Sequence, residues 1–112
     1  MKKEIRLYRT KTGKEPFVRW LSSIRDIVIR AQIKNRIRRM VLGNYGDCKC
    51  IGNGIFELRI HCGAGYRVYF AEQNRMIILL LLGGNKNSQK KDIEKAKKYW
   101  MDFQEHYNEK KK

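Results

Sequence analysis

The stretch that most constrains this chain is Met76 to Leu82, an unbroken apolar run. A strand with one wet face alternates apolar and polar residues, so an unbroken run predicts a central strand covered on both sides. The run is far shorter than the ~20 apolar residues a membrane helix needs. Gly83-Gly84 follow and predict its end. Two alternating segments precede it. In Ile55 to Cys62, Phe56, Leu58 and Ile60 point one way while Glu57, Arg59 and His61 point the other. In Tyr66 to Phe70, Tyr66, Val68 and Phe70 oppose Arg67 and Tyr69. Gly63-Ala64-Gly65 lies between them and is hairpin material.

Register follows from the requirement that facing residues share a side. A two-residue loop would set Ile60 against Arg67 and mix the faces. A three-residue loop sets Cys62 against Tyr66, His61 against Arg67, Ile60 against Val68 and Arg59 against Tyr69. The second arrangement keeps both faces consistent, and a one-residue slip would invert them. The hairpin is therefore expected to carry Glu57, Arg59, His61, Arg67 and Tyr69 on one polar face.

Helices account for the rest. Glu4 to Tyr8 reads as a first strand, and Thr10 to Gly13 as a turn. Pro16 suits a first helical position, and Phe17, Trp20, Leu21 and Ile24 keep helical spacing. A second helix is expected from about Asp26 to Leu42, with the apolar stripe Ile29, Ile33, Ile37, Met40 and Val41 and Gly43 closing it. Arg30, Lys34 and Arg38, spaced by four, stack beside that stripe, and Arg36 and Arg39 widen the basic surface. A last helix runs from about Gln89 to Tyr107, capped by Ser88, with Ile93, Ala96, Trp100, Phe103 and Tyr107 on one side. The expected order is β-α-α-β-β-β-α. This describes an α+β fold: a small, mainly antiparallel sheet packed by helices, in one domain over residues 1–112, with a frayed tail at about 108–112.

Charge bounds the partners. Lys and Arg number 26 against 11 Asp and Glu, for a net charge of +15. Such an excess concentrates polyanions at the surface, and phosphate backbones are the commonest of these. An acidic protein would be drawn by the same field. No secretory leader is read at the N-terminus. Cys48, Cys50 and Cys62 form an odd set, unlike a secreted disulfide framework, which points to reduced thiols in the cytoplasm. A zinc site from Cys48, Cys50, His61 and Cys62 would need poor spacing, so no metal is expected. His106, near the end of the last helix, reads as a dipole or solvent residue.

Residue types on the polar strand face suit chemistry at a phosphodiester. Cleaving RNA needs a base for the 2′-hydroxyl, cations for the pentavalent phosphate and an acid for the leaving 5′-oxygen. The arginine fork donates two hydrogen bonds to a phosphate at once. The same pattern also fits a solvent-facing hairpin tied by ion pairs between Glu57 and the arginines. Lys86 precedes a helix N-terminus, where an anion is favoured, and equally suits a solvated position.

The stretches Phe56–Phe70 and Ile78–Trp100 resemble the RelE/ParE superfamily of type II toxins. They are nearest to the HigB-like, phage-associated branch of addiction-module killer proteins. Motifs of that branch appear in order as Gly54/Glu57/Leu58/Arg59, as Gly63/Gly65/Tyr66/Arg67/Val68/Tyr69, and as Leu81/Leu82/Gly83/Gly84/Lys86/Gln89/Asp92/Ile93. The resemblance spans essentially the whole chain, including Phe17-Val18-Arg19-Trp20-Leu21. It implies a RelE-like fold and a metal-independent, ribosome-dependent mRNA endoribonuclease acting through 2′-hydroxyl attack, without cofactor. Relatives of ParE type instead inhibit DNA gyrase, and a non-catalytic co-repressor acting with an antitoxin is a further alternative.

The implied partners are a helix-turn-helix antitoxin, the ribosome and mRNA, and operator DNA through the antitoxin alone, with no membrane. By resemblance, Arg67 takes the place of a phosphate-contacting arginine. Ile55 and Glu57 stand where related nucleases carry catalytic lysines, and a late catalytic tyrosine has no counterpart near Lys86 to Lys91. His61 is the substitute proton carrier. The resulting catalytic candidates are Arg67, Arg59, His61, Glu57, Tyr69 and Lys86. Arg30, Lys34, Arg38, Lys90 and Lys91 are the candidates for RNA or ribosome contact.

Overall fold

The computed structural model describes residues 2–111, with side chains through His106. Its elements are β1 (Glu4–Leu7), α1 (Pro16–Ser23), α2 (Ile27–Val41), β2 (Cys48–Gly52), β3 (Ile55–Ile60), β4 (Tyr66–Gln73), β5 (Ile77–Asn85) and α3 (Gln89–Lys111). The class is α+β, with helices on a five-stranded mixed sheet ordered β1-β5-β4-β3-β2. β1 runs parallel to β5 and the other neighbours are antiparallel.

β2 corrects the expected order by one strand. Its segment, Cys48-Lys49-Cys50-Ile51-Gly52, has mostly exposed or half-buried residues and forms a sheet edge. Such a strand is held by ladder bonds to β3 and carries little hydrophobic pattern. Gly83 and Gly84 also lie inside β5 and do not terminate it.

The apolar run is covered on both sides, as expected of a central strand. On one face Phe17, Ile33, Met40, Leu58, Phe70 and Leu80 pack beneath α1 and α2. On the other, Tyr69, Leu79, Leu81, Ala96 and Trp100 pack beneath α3. A register shift between β4 and β5 pairs Tyr69 with Leu82 and Phe70 with Leu80. The extra residue is Leu81, so Leu81 and Leu82 both serve the α3 side. The shift also sends Gly83 towards α1 and Gly84 towards α3. A Cβ on Gly83 would lie 2.2 Å from the Trp20 ring, and one on Gly84 would lie 1.8 Å from Asp92 Oδ2. These glycines let a tryptophan and a helix N-terminus settle directly on strand backbone.

The helix ends have local causes. Asp26 caps α2, its Oδ1 accepting from Val28 N at 2.9 Å and Ile29 N at 3.4 Å. Gly43 follows that helix at φ 87°. Ser88 stands just before α3, but its hydroxyl donates to Asp92 Oδ2 at 2.5 Å and accepts from Asn85 N at 3.2 Å. Asn85 Oδ1 takes the Asn87 and Ser88 amides at 2.9 and 3.1 Å. α3 continues to Lys111, past the expected end at Tyr107 and through most of the expected frayed tail. Lys112 and the Tyr107 side chain lie outside the described residues. Along α3, Tyr8 donates to Asp102 at 2.5 Å and stacks on Tyr99, tying the helix to the sheet edge.

Candidate functional site at the open end of the sheet

The β3–β4 pairing sets Ile60 against Tyr66, Arg59 against Arg67, Leu58 against Val68 and Glu57 against Tyr69. This differs from the expected register by two residues. Both registers preserve the faces, because side chains repeat every two residues. The difference moves His61 and Cys62 out of the ladder and into the connecting loop. That loop closes on itself, with Cys62 N bonded to Ile60 O at 3.1 Å and Gly65 N to Cys62 O at 3.0 Å.

Glu57, Arg59, Arg67 and Tyr69 share one face, as the alternation requires, yet their environments diverge. Glu57 and Tyr69 are completely buried under α3. The Glu57 carboxylate accepts from Gln89 Nε2 at 2.8 Å, Tyr69 OH at 3.1 Å and Arg59 Nε at 3.2 Å. Arg67 Nε forms an ion pair with it at 3.4 Å. Burial alone would raise this carboxyl's pKa, but the bonds from Gln89, Arg59 and Tyr69 and the Arg67 charge hold it below its ordinary value. Burial, and then the neighbouring Glu57 charge, push the Tyr69 hydroxyl up, so it serves as a donor. The ion pairing that the sequence offered as an alternative is therefore present. It lies within the protein and not on a solvent-facing hairpin. Gln89, the first residue of α3, had not been singled out for this role, since nothing local in the sequence links it to Glu57.

Towards the open end the same face emerges into solvent. The Arg67 side chain keeps 15% of its exposure and Arg59 keeps 34%. Both line a groove of about 470 Å³ with His61, the Gly63–Gly65 turn, Tyr66 and Lys86. Lys86 is exposed, and its amide bonds Gly65 O at 3.2 Å, joining the end of β5 to the turn. His61 is 74% exposed and pairs through Nε2 with the Asp47 carboxylate. That hydrogen bond, above all, holds the Asp47 pKa below its usual value. An imidazole held at Nε2 presents Nδ1 as its other proton-exchanging atom.

The remaining candidates lie elsewhere. Arg30 is half-buried on α2, and Lys34 and Arg38 are exposed along it. Lys90 and Lys91 are exposed in the first turn of α3. Arg36 turns inward: its guanidinium donates to Arg59 O at 2.6 Å and to Tyr45 O at 3.0 Å, fastening α2 to the sheet. His106 bonds Asp102 O at 2.8 Å, within its own helix. Among the described residues no cluster of His, Cys, Asp and Glu could hold a metal ion, and no helix is long and apolar enough to cross a membrane.

The site thus combines a buried carboxylate, the guanidinium groups it orients, and an exposed histidine on a cationic groove, within a phage-type sequence frame. Residues 19–100 match the model of the family described as Phage derived protein Gp49-like (DUF891). The chain belongs to that Gp49-like family. It is also 49% identical over 81 residues to an uncharacterized protein of Haemophilus influenzae (strain ATCC 51907 / DSM 11121 / KW20 / Rd), a match covering 72% of this chain and 82% of the relative.

Proposed function

We propose that this protein is the toxin of a type II toxin–antitoxin module, with a RelE-like fold, and that it cleaves mRNA on the ribosome at the groove between the β3–β4 turn and Lys86. The observation carrying this reading is the convergence of Arg59, Arg67, Lys86 and His61 on one groove, with the arginines anchored on a buried carboxylate. Pre-fixed cations of this kind stabilise charge that develops on a phosphate without reorganising during the reaction. Membership of a phage-derived family and the +15 charge support the same reading.

In this mechanism Arg67 and Arg59 hold the non-bridging oxygens. His61 takes the 2′-hydroxyl proton, the 2′-oxygen attacks phosphorus, and the bond to the 5′-oxygen breaks to leave a 2′,3′-cyclic phosphate. The departing 5′-oxygen is protonated from the cationic rim, where Lys86 stands. Glu57 and Tyr69 act from beneath as positioning residues, because burial keeps them from the strand. A helix-turn-helix antitoxin would neutralise the toxin in the cytoplasm and carry it to operator DNA. One observation favours a second reading, a gyrase inhibitor of ParE type: Glu57 and Tyr69, the strand-face candidates for acid and base, are buried, and His61 lies in the turn beyond the ladder.

Expression without an antitoxin should arrest growth. Arg67→Ala should lower activity by at least ~10²-fold, the usual scale for one such donor, with the folded state verified by circular dichroism. Full toxicity in a folded Arg67→Ala variant would remove the role.

A further inference from the structure

The groove at the turn continues beyond the residues assigned to catalysis. His61 and Ile60 line it on one side and line a second groove of about 300 Å³ on the other, with Gln32, Asn35, Arg36 and Arg39 of α2. Asn35 and Arg39 then line a third, of about 270 Å³, with Arg38 and Leu42. Successive grooves share lining residues, which sets the three side by side along a path from Lys86, past His61, to the C-terminal end of α2.

Three features of the track bear on its ligand. No residue lining any of the three grooves is acidic. The carboxylates that touch its lining are already paired: Asp47 with His61, and the buried Glu57 with Arg59 and Arg67. Beside the cations stand the neutral amides Gln32 and Asn35, and the Asn35 oxygen is already taken by Arg38 at 2.9 Å, leaving its amino group to donate. A helix brings Gln32, Asn35, Arg36 and Arg39 to one stripe through spacings of three and four. At 100° per residue this stripe lies on the opposite flank of the buried Ile33 and Met40 from Arg30 and Lys34.

From this arrangement we infer that α2 and the turn form an extended binding track for single-stranded nucleic acid. Guanidinium groups contact successive phosphates and stack on bases, and the amides meet base edges. The inference rests on the groove reading above for the choice of RNA, and adds Asn35, Arg38 and Arg39 as its binding residues. An acidic peptide would compete for the same cations, and the test below separates it from RNA.

The test uses binding to the full chain by 2′-O-methyl RNA, which lacks the attacking hydroxyl. A trinucleotide and a dodecanucleotide are titrated across a salt series. Wild type should bind the longer probe at least ~10-fold tighter, by adding contacts along the track. Arg38→Gln with Arg39→Gln should erase that advantage and reduce the log–log salt slope by about 0.7 per lost phosphate contact. Lys11→Gln with Lys14→Gln removes the same charge from exposed residues that line none of the three grooves and should change neither. Equal losses in the two double variants, or no length advantage in wild type, would overturn the track. Tighter binding of a polyglutamate peptide than of RNA would overturn its ligand class. Cleavage is not read, so these results stand apart from catalysis: a track that binds long RNA in a chain without nuclease activity would still support the inference.

Discussion

Two halves of one strand face behave differently in this protein. Glu57 and Tyr69, at the inner half of the β3–β4 ladder, are sealed beneath α3, with the Glu57 carboxylate accepting from both Tyr69 and Gln89. Arg59 and Arg67, one pleat further along the same face, reach past the helix into an open groove. The residue types would suit catalysis in either half. What separates them is where α3 begins: Ser88, Asp92 and Gly84 seat its first turn on β5, and the cover stops there. A buried carboxylate under a helix becomes the fixed counter-charge for guanidinium groups that reach outside it.

The sharpest way to break this division is to remove the counter-charge. Glu57→Ala strands the Arg67 charge in a largely buried place, and losing one partner of such a pair costs about 3–5 kcal/mol. Urea unfolding should register that loss. A cost under ~1 kcal/mol would mean that the two halves are independent.

A smaller effect is expected where the helix is seated. Gly84→Ala places a methyl group 1.8 Å from Asp92 Oδ2 and 2.7 Å from Ser88 Oγ. Overpacking of this kind costs roughly 1–3 kcal/mol. Pairing it with Asp92→Ala, which vacates the space, should give a total below the sum of the single changes. Strict additivity in thermal or urea unfolding would show that the first turn of α3 does not rest on Gly84.

The smallest effect is a pH signature. The folded Glu57 pKa is below its ordinary value of 4.5, so its ionised form stabilises the native state above that pH. This contribution is lost as pH falls through the lower folded value. The stability gap between wild type and Glu57→Gln should therefore hold steady from neutral pH to about 4.5 and shrink below it. A gap that widened in acid would reverse the sign of the coupling.

Much of this was legible in the sequence. The period-two pattern assigned the faces of Phe56 to Ile60 in β3 and of Tyr66 to Phe70 in β4, and the apolar run marked β5 as covered on both sides. The pairing itself was not legible, because a two-residue shift leaves each face unchanged. The turn's own backbone bonds choose the wider loop and lift His61 out of the ladder. β2 escaped because an edge strand with half-buried Cys48 and Ile51 and exposed Lys49, Cys50 and Gly52 shows no strict alternation against a core. For the site, sequence assembled the right residue types but could not rank them by depth. The helix that buries Glu57 and Tyr69 begins at Gln89, 32 residues beyond Glu57, and the two meet only in the folded protein.

The proposed action of the open half of the face on RNA is open to direct measurement. The most direct measurement maps RNA ends by primer extension after induction of wild type and of Arg67→Ala, with plasmid topology followed in the same cells. The account predicts new ends within translated messages, carrying 2′,3′-cyclic phosphates, in wild type and not in the variant, with supercoiling unchanged. Growth arrest with intact messages and relaxed plasmid would contradict it and place the target at gyrase.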